Sequence, residues 1–193
     1  LMTMTYLIKA ENLSYKINEK KLFQNISFEV NSGSAIHITG SNGSGKTTLL
    51  RIILGISKPT KGFIEAKLTS DICYLGHKNA LKQYLTVEDN LILQNLKLNE
   101  SVYTLLKDID LYDKLDVVVS NLSFGQQKKL ALLKIFLNKS ELLVLDEPCV
   151  GLDDEAQSFL TSFLRDELDK NKSIIFSSHI NLNIDAKSIS LNI

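Results

Sequence analysis

The chain has 193 residues, of which 44% are hydrophobic, enough for one domain with an ordinary core. Its 22 Lys and Arg balance 22 Asp and Glu, so it lacks the broad basic face of nonspecific nucleic-acid binding, and no nucleic-acid partner is expected. No apolar run approaches the roughly 18 residues of a spanning helix, so direct membrane insertion is not expected and any membrane link goes through another subunit.

In chain order, residues 6–13 and 26–30 read as strands around a polar turn at 18–21. Residues 35–39 form a short apolar strand, followed by a glycine-rich loop and a helix over 47–54 that Gly55 ends. A further strand is predicted at 72–75, and helix-like apolar spacing runs from about 78 to 121, with a helix over 126–137. The continuous apolar runs 142–145 and 174–176 have the character of fully buried strands, with a helix over 155–170 between them. Residues 188–193 alternate and predict a last strand, and no regulatory domain is expected after it. Strands alternating with helices imply an α/β fold with a mostly parallel core sheet. The expected division is one domain over 1–193, with a core of about 1–77 and 138–193 and an inserted helical subdomain of about 78–137. Cys73 and Cys149 lie far apart without metal-ligand spacing and read as reduced thiols of a cytosolic protein.

The loop Gly40, Ser41, Asn42, Gly43, Ser44, Gly45, Lys46, Thr47 fits G-x-x-x-x-G-K-[ST] at every fixed position. Glycines let successive backbone N–H groups turn toward phosphate oxygens, and the following helix adds its positive end. Lys46 is assigned to the β- and γ-phosphates, Thr47 to Mg²⁺ and Thr48 to the α-phosphate of ATP. Downstream, an apolar strand ends in Asp146 and Glu147: the first is assigned to Mg²⁺, the second to the attacking water. His179, at the end of the next strand, reads as a γ-phosphate sensor. Ser123 with Gln126 three residues on reads as a capping box opening a helix.

Leu122-Ser123-Phe124-Gly125-Gln126 also resembles the signature of ABC ATPases, with Phe124 where Gly is usual, and Gly151-Leu152-Asp153 resembles their D-loop. The resemblance spans essentially the whole chain. It implies a P-loop NTPase of the ABC type, with an N-terminal antiparallel β part, that hydrolyses ATP with Mg²⁺. It further implies a head-to-tail sandwich with a second ABC subunit, expected to be a homodimer. There Ser123, Gly125 and Gln126 of one copy face the nucleotide of the other, and integral membrane subunits receive the motion. His77 stands where the family has its Q-loop Gln and is counted with the catalytic residues Glu147, His179 and Lys46. Ile17 stands where an aromatic normally stacks on adenine, and Tyr15 reaches that place only if the register shifts.

Gly76-His77, the stretch from Leu85 to Leu91, and Gly125 to Lys129 resemble the ATP-binding subunits of the cytochrome c maturation haem exporter. That resemblance implies a peripheral position on the cytoplasmic face of a bacterial inner membrane. The alternatives are the ATPase of another ABC transporter, a soluble ABC ATPase of iron–sulfur cofactor assembly, and a nucleotide-binding regulator with little turnover.

Overall fold

The computed structural model describes residues 6–68 and 72–191. Two sheets share the chain. The first is antiparallel, in the order β2-β1-β4, with β1 at Tyr6–Ile17, β2 at Lys20–Asn31 and β4 at Lys61–Ala66. The second is wholly parallel, in the order β5-β6-β7-β3-β8, built from β3 (Ala35–Thr39), β5 (Ile72–Leu75), β6 (Leu142–Asp146), β7 (Ser173–Ser177) and β8 (Lys187–Ser190). The predicted last strand closes earlier than expected, at Ser190, and Asn192 and Ile193 lie outside the described residues. β1 and β2 run longer than their apolar stretches because a two-residue turn with Asn18 at φ 52 lets pairing continue to Ile17 and Lys20.

β4 escaped the sequence reading, since most of its residues are exposed and no alternation marks it. Pairing places it tightly: a side chain on Gly62 (φ 83) would meet Glu11 O at 2.3 Å, so only glycine lets the strand close on β1.

β6 and β7 are buried at every position, as strands covered on both faces must be. Their odd and even residues feed two cores. Leu142, Val144 and Ile175 meet the antiparallel sheet and α1 (Lys46–Ile53). Leu143, Leu145, Ile174 and Phe176 face the side of α4 (Phe124–Phe136) and α5 (Asp154–Asp169). Each fully buried Leu or Ile here contributes about 1.5–3 kcal/mol relative to exposure. α1 ends in a Schellman arrangement: Gly55 (φ 71) donates to Ile52 O and Ile56 to Arg51 O.

Between β5 and β6 the expected long helical run breaks up. Residues 78–86 are loop, and helix is confined to α2 (Val87–Leu93), α3 (Glu100–Asp108), two 3₁₀ turns at Tyr112–Lys114 and Val119–Asn121, and α4. The breaks are local and polar. Asn95 and Asp110 take positive φ just past α2 and α3, and Asn99 caps α3 by accepting from Val102 N. Thr86 and Asp89 form a reciprocal capping box on α2. Buried Asn90 then ties the preceding loop down, accepting from Lys82 N at 2.7 Å and donating to Lys82 O and Thr86 O. No helix among the described residues is long and apolar enough to cross a membrane.

Candidate nucleotide site

The phosphate loop joins the end of β3 to the start of α1, and its geometry requires glycine at two points. A side chain on Gly40 (φ 149) would meet Ser44 Oγ at 2.5 Å, and one on Gly45 (φ 103) would press on the Phe23 ring at 3.0 Å. Gly45 is also the N-cap of α1 and offers no side-chain oxygen, so the first N–H groups of the helix keep their capacity for an anion. Lys46 is buried, and its Nζ donates to Gly40 O at 2.9 Å and Ser41 O at 3.3 Å.

Opposite stands the end of β6. Asp146 accepts from Thr47 Oγ1 at 2.7 Å on one oxygen and from Ser177 Oγ at 2.6 Å on the other. Thr47 and Asp146 thus already share one oxygen-rich point, the donor set a hard divalent cation prefers. Glu147 leaves the strand with φ 50, and its N–H donates to both Ser177 O and Ser177 Oγ. The turn aims the carboxylate across the cleft, where Oε2 accepts from His179 N at 3.2 Å. Oε1 is buried and accepts no hydrogen bond, although His179 Nε2 lies 3.3 Å away and Lys46 Nζ 4.0 Å. A buried carboxylate oxygen at the cleft that accepts no hydrogen bond is suited to a water or a nucleotide group. His179 Nε2 lies 3.0 Å from Asn42 Oδ1 and 3.3 Å from Lys46 Nζ, donating to the first or accepting from the second according to its tautomer.

Asn42, Lys46, Thr47, Asp146 and Glu147 line an open cleft of about 390 Å³ together with Gly43, Gly45, Thr48, His77, Ile17 and Leu22, and His179 borders it through Asn42, Lys46 and Glu147. The structure therefore brings the phosphate loop, the acidic pair, His179, His77 and Ile17 to one place. Tyr15 is elsewhere, stacked on Phe23 at 6.2 Å, so no register shift delivers it to the cleft. Sequence reasoning missed Ser177, which holds both carboxylate residues, and Leu22, which joins Ile17 as an aliphatic floor. The signal for Ser177 was a polar residue closing an otherwise apolar buried strand.

Ser123, Gly125 and Gln126 do not line this cleft. Ser123 and Gln126 form the expected capping box at the start of α4. Phe124, 59% exposed, lies over Gly151: a Cβ there would fall 2.3 Å from Phe124 Cδ1, and one on Gly125 would fall 2.7 Å from Gly151 O. Lys129 pairs with Asp153 at 3.0 Å, and Asp153 caps α5 by accepting from Ala156 N at 2.8 Å. The Ala156 N–H, and after it Lys129, hold the Asp153 carboxyl below the usual carboxylate range. Burial pushes the Cys149 thiol up to about 11, and it lowers the Lys128 amine against the opposing pull of Asp146, Cys149 and Glu147.

A buried parallel strand running into a glycine-cornered loop and an uncapped helix start, faced by a neighbouring strand that ends in Asp-Glu, defines a P-loop nucleoside triphosphatase. Residues 23–150 match the ABC transporter family profile, and the chain belongs to that family. It is an ATP-binding, ATP-hydrolysing subunit of an ABC transporter. The cytochrome c biogenesis ATP-binding export protein CcmA of Vibrio parahaemolyticus is 32% identical over 95% of this chain and 97% of that protein. CcmA of Brucella abortus is 34% identical over 92% of this chain and 87% of its own length. An ABC transporter ATP-binding subunit of known structure superposes with a TM-score of 0.76, at 26% identity, covering 90% of this chain and 80% of that one.

Proposed function

We propose that this subunit energises the haem-handling export complex of cytochrome c maturation. The observation that carries the subfamily is the end-to-end match to CcmA, 95% of this chain against 97% of the Vibrio protein. For the chemistry, the support is the convergence of Lys46, Thr47, Asp146, Glu147 and His179 on one cleft.

In this reading residues 40–48 cradle the phosphates of ATP, with Lys46 on the β- and γ-phosphates. Thr47 and Asp146 would hold Mg²⁺, which when bound neutralises charge on the phosphate oxygens. Glu147 takes the proton of the water that attacks the γ-phosphorus in line as the bond to the β-phosphate oxygen breaks. His179 orients the γ-phosphate, and His77 sits where the cleft passes into the helical stretch. Ser123, Gly125 and Gln126 complete the site of a second copy, so two chains form a homodimeric sandwich around two ATP molecules. The helical subdomain, 78–137, passes closure and opening to integral membrane subunits from the cytoplasmic face of a bacterial inner membrane.

Glu147→Gln should lower turnover by about 10²-fold or more with ATP binding retained; unchanged turnover would remove the base assignment. Purification from native membranes should recover integral cytochrome c maturation subunits. A different permease would discard haem, and only soluble partners would discard the placement at a membrane.

A further inference from the structure

We infer that His37, a residue outside the phosphate loop and the acidic pair, is a positioning residue that sets the orientation of Glu147 and His179 through one peptide bond. The inference rests on the reading of Glu147 as base and His179 as γ-phosphate sensor.

His37 lies on β3 directly beside Phe176 of β7 in the parallel register, and its ring stacks on Phe176 at 4.5 Å and 10°. The stacking directs Nε2 along β7 to a point just past its end, 2.9 Å from Ser178 O. A carbonyl oxygen only accepts, so Nε2 carries the proton and donates. The N–H on the other side of that same peptide belongs to His179 and donates to Glu147 Oε2 at 3.2 Å. β7 ends at Ser177, so neither group of this peptide belongs to the sheet ladder. His37 holds one end and Glu147 the other, giving the relay His37 Nε2–H to Ser178 C=O, then His179 N–H to Glu147 carboxylate. Hydrogen bonds on opposite sides of one amide polarise each other and strengthen together. Ser178 Oγ closes the following turn, donating to Ile180 O and accepting from Ile180 N, so rotation of the 178–179 peptide is the freedom that His37 removes.

Losing the His37 donor leaves Ser178 O unpaired and frees the peptide to turn its N–H away from Glu147. The glycine corners of the phosphate loop and the start of α1 are held without this peptide, so the effect falls chiefly on turnover. The test is steady-state ATP hydrolysis by the subunit in complex with its membrane partners. His37→Leu should lower kcat by roughly tenfold, the order expected for one hydrogen bond at a charged site, with KM for ATP within about twofold. His37→Gln, which returns an N–H donor at similar reach, should recover most of the loss. His37→Asn, polar but too short, should not. In a Glu147→Gln background, His37→Leu should cost less than it does beside Glu147, since only the route through His179 remains, and an equal cost would overturn the route through Glu147.

A His37→Leu kcat equal to wild type overturns the inference. Equal loss in the Gln and Leu variants also overturns it, because ring packing rather than the donor would then be responsible. So does a raised KM at unchanged kcat. Should His37→Leu fail to fold, the Gln and Asn contrast decides alone. Undiminished turnover in Glu147→Gln by itself would sink the base assignment, while the Gln and Asn contrast would still report on the peptide.

Discussion

Two serines of β7 offer a direct comparison of hydrogen bonds that differ in charge. Ser173 and Ser177 bracket the strand and both are fully buried. Ser173 Oγ donates to a neutral acceptor, Asn31 O, at 2.9 Å. Ser177 Oγ donates to the Asp146 carboxylate at 2.6 Å and accepts from Glu147 N at 3.1 Å. Glu147 N keeps Ser177 O as a second acceptor, so the carboxylate bond carries most of the difference. A neutral bond contributes about 1 kcal/mol net and one to a charged group about 1.5–3 kcal/mol. For a chain of this size 1 kcal/mol corresponds to about 2–4 °C. Ser173→Ala should therefore lower the melting temperature by about 2–4 °C and Ser177→Ala by about 3–12 °C, read by circular dichroism without nucleotide. ATP hydrolysis should fall only in Ser177→Ala, since Asp146 loses one of its two anchors. Equal shifts, or a larger one for Ser173→Ala, would refute the reasoning that charge on the acceptor decides the loss.

Other expectations follow from the turn between β6 and α5. Asp153→Ala should cost about 1 kcal/mol at neutral pH through loss of the α5 cap. Because the folded carboxyl is depressed from 3.8, its contribution is present above that value and is lost as pH falls through the lower folded value. Urea melts should therefore show the gap to wild type closing below about pH 4; a gap constant with pH would oppose this. Gly151→Ala should destabilise twice over, by about 1 kcal/mol for a left-handed alanine and by the clash with Phe124. Adding Phe124→Ala should remove the second part and leave the first. No rescue in the double variant would show that the clash is not the cause.

The parallel strands and the phosphate loop were legible because their signals are local. A fully buried strand is a short unbroken apolar run, and β3, β5, β6 and β7 fall within a residue of the runs that announce them. The loop needs glycines at Gly40 and Gly45 for steric reasons that the motif already encodes. β4 was not legible, because an exposed edge strand carries little apolar pattern and is recruited by pairing with β1. The stretch 78–121 was read as too helical, because apolar spacing there continues through the breaks made by Asn95, Asp110 and the Asn90-pinned loop.

The sequence by itself determined the class of chemistry: Lys46 and Thr47 follow the glycines, and Asp146 and Glu147 end an apolar run, so each group is placed by its immediate neighbours. Only the tertiary structure decided which of them meet and what holds them. Ser177 and Leu22 reach the site from two strands, His37 touches the peptide behind it from a third, and Phe124 at the start of α4 meets Gly151 in the turn before α5. Such contacts join residues far apart in the chain, and their distances follow from sheet register and packing, which no local pattern of residues records.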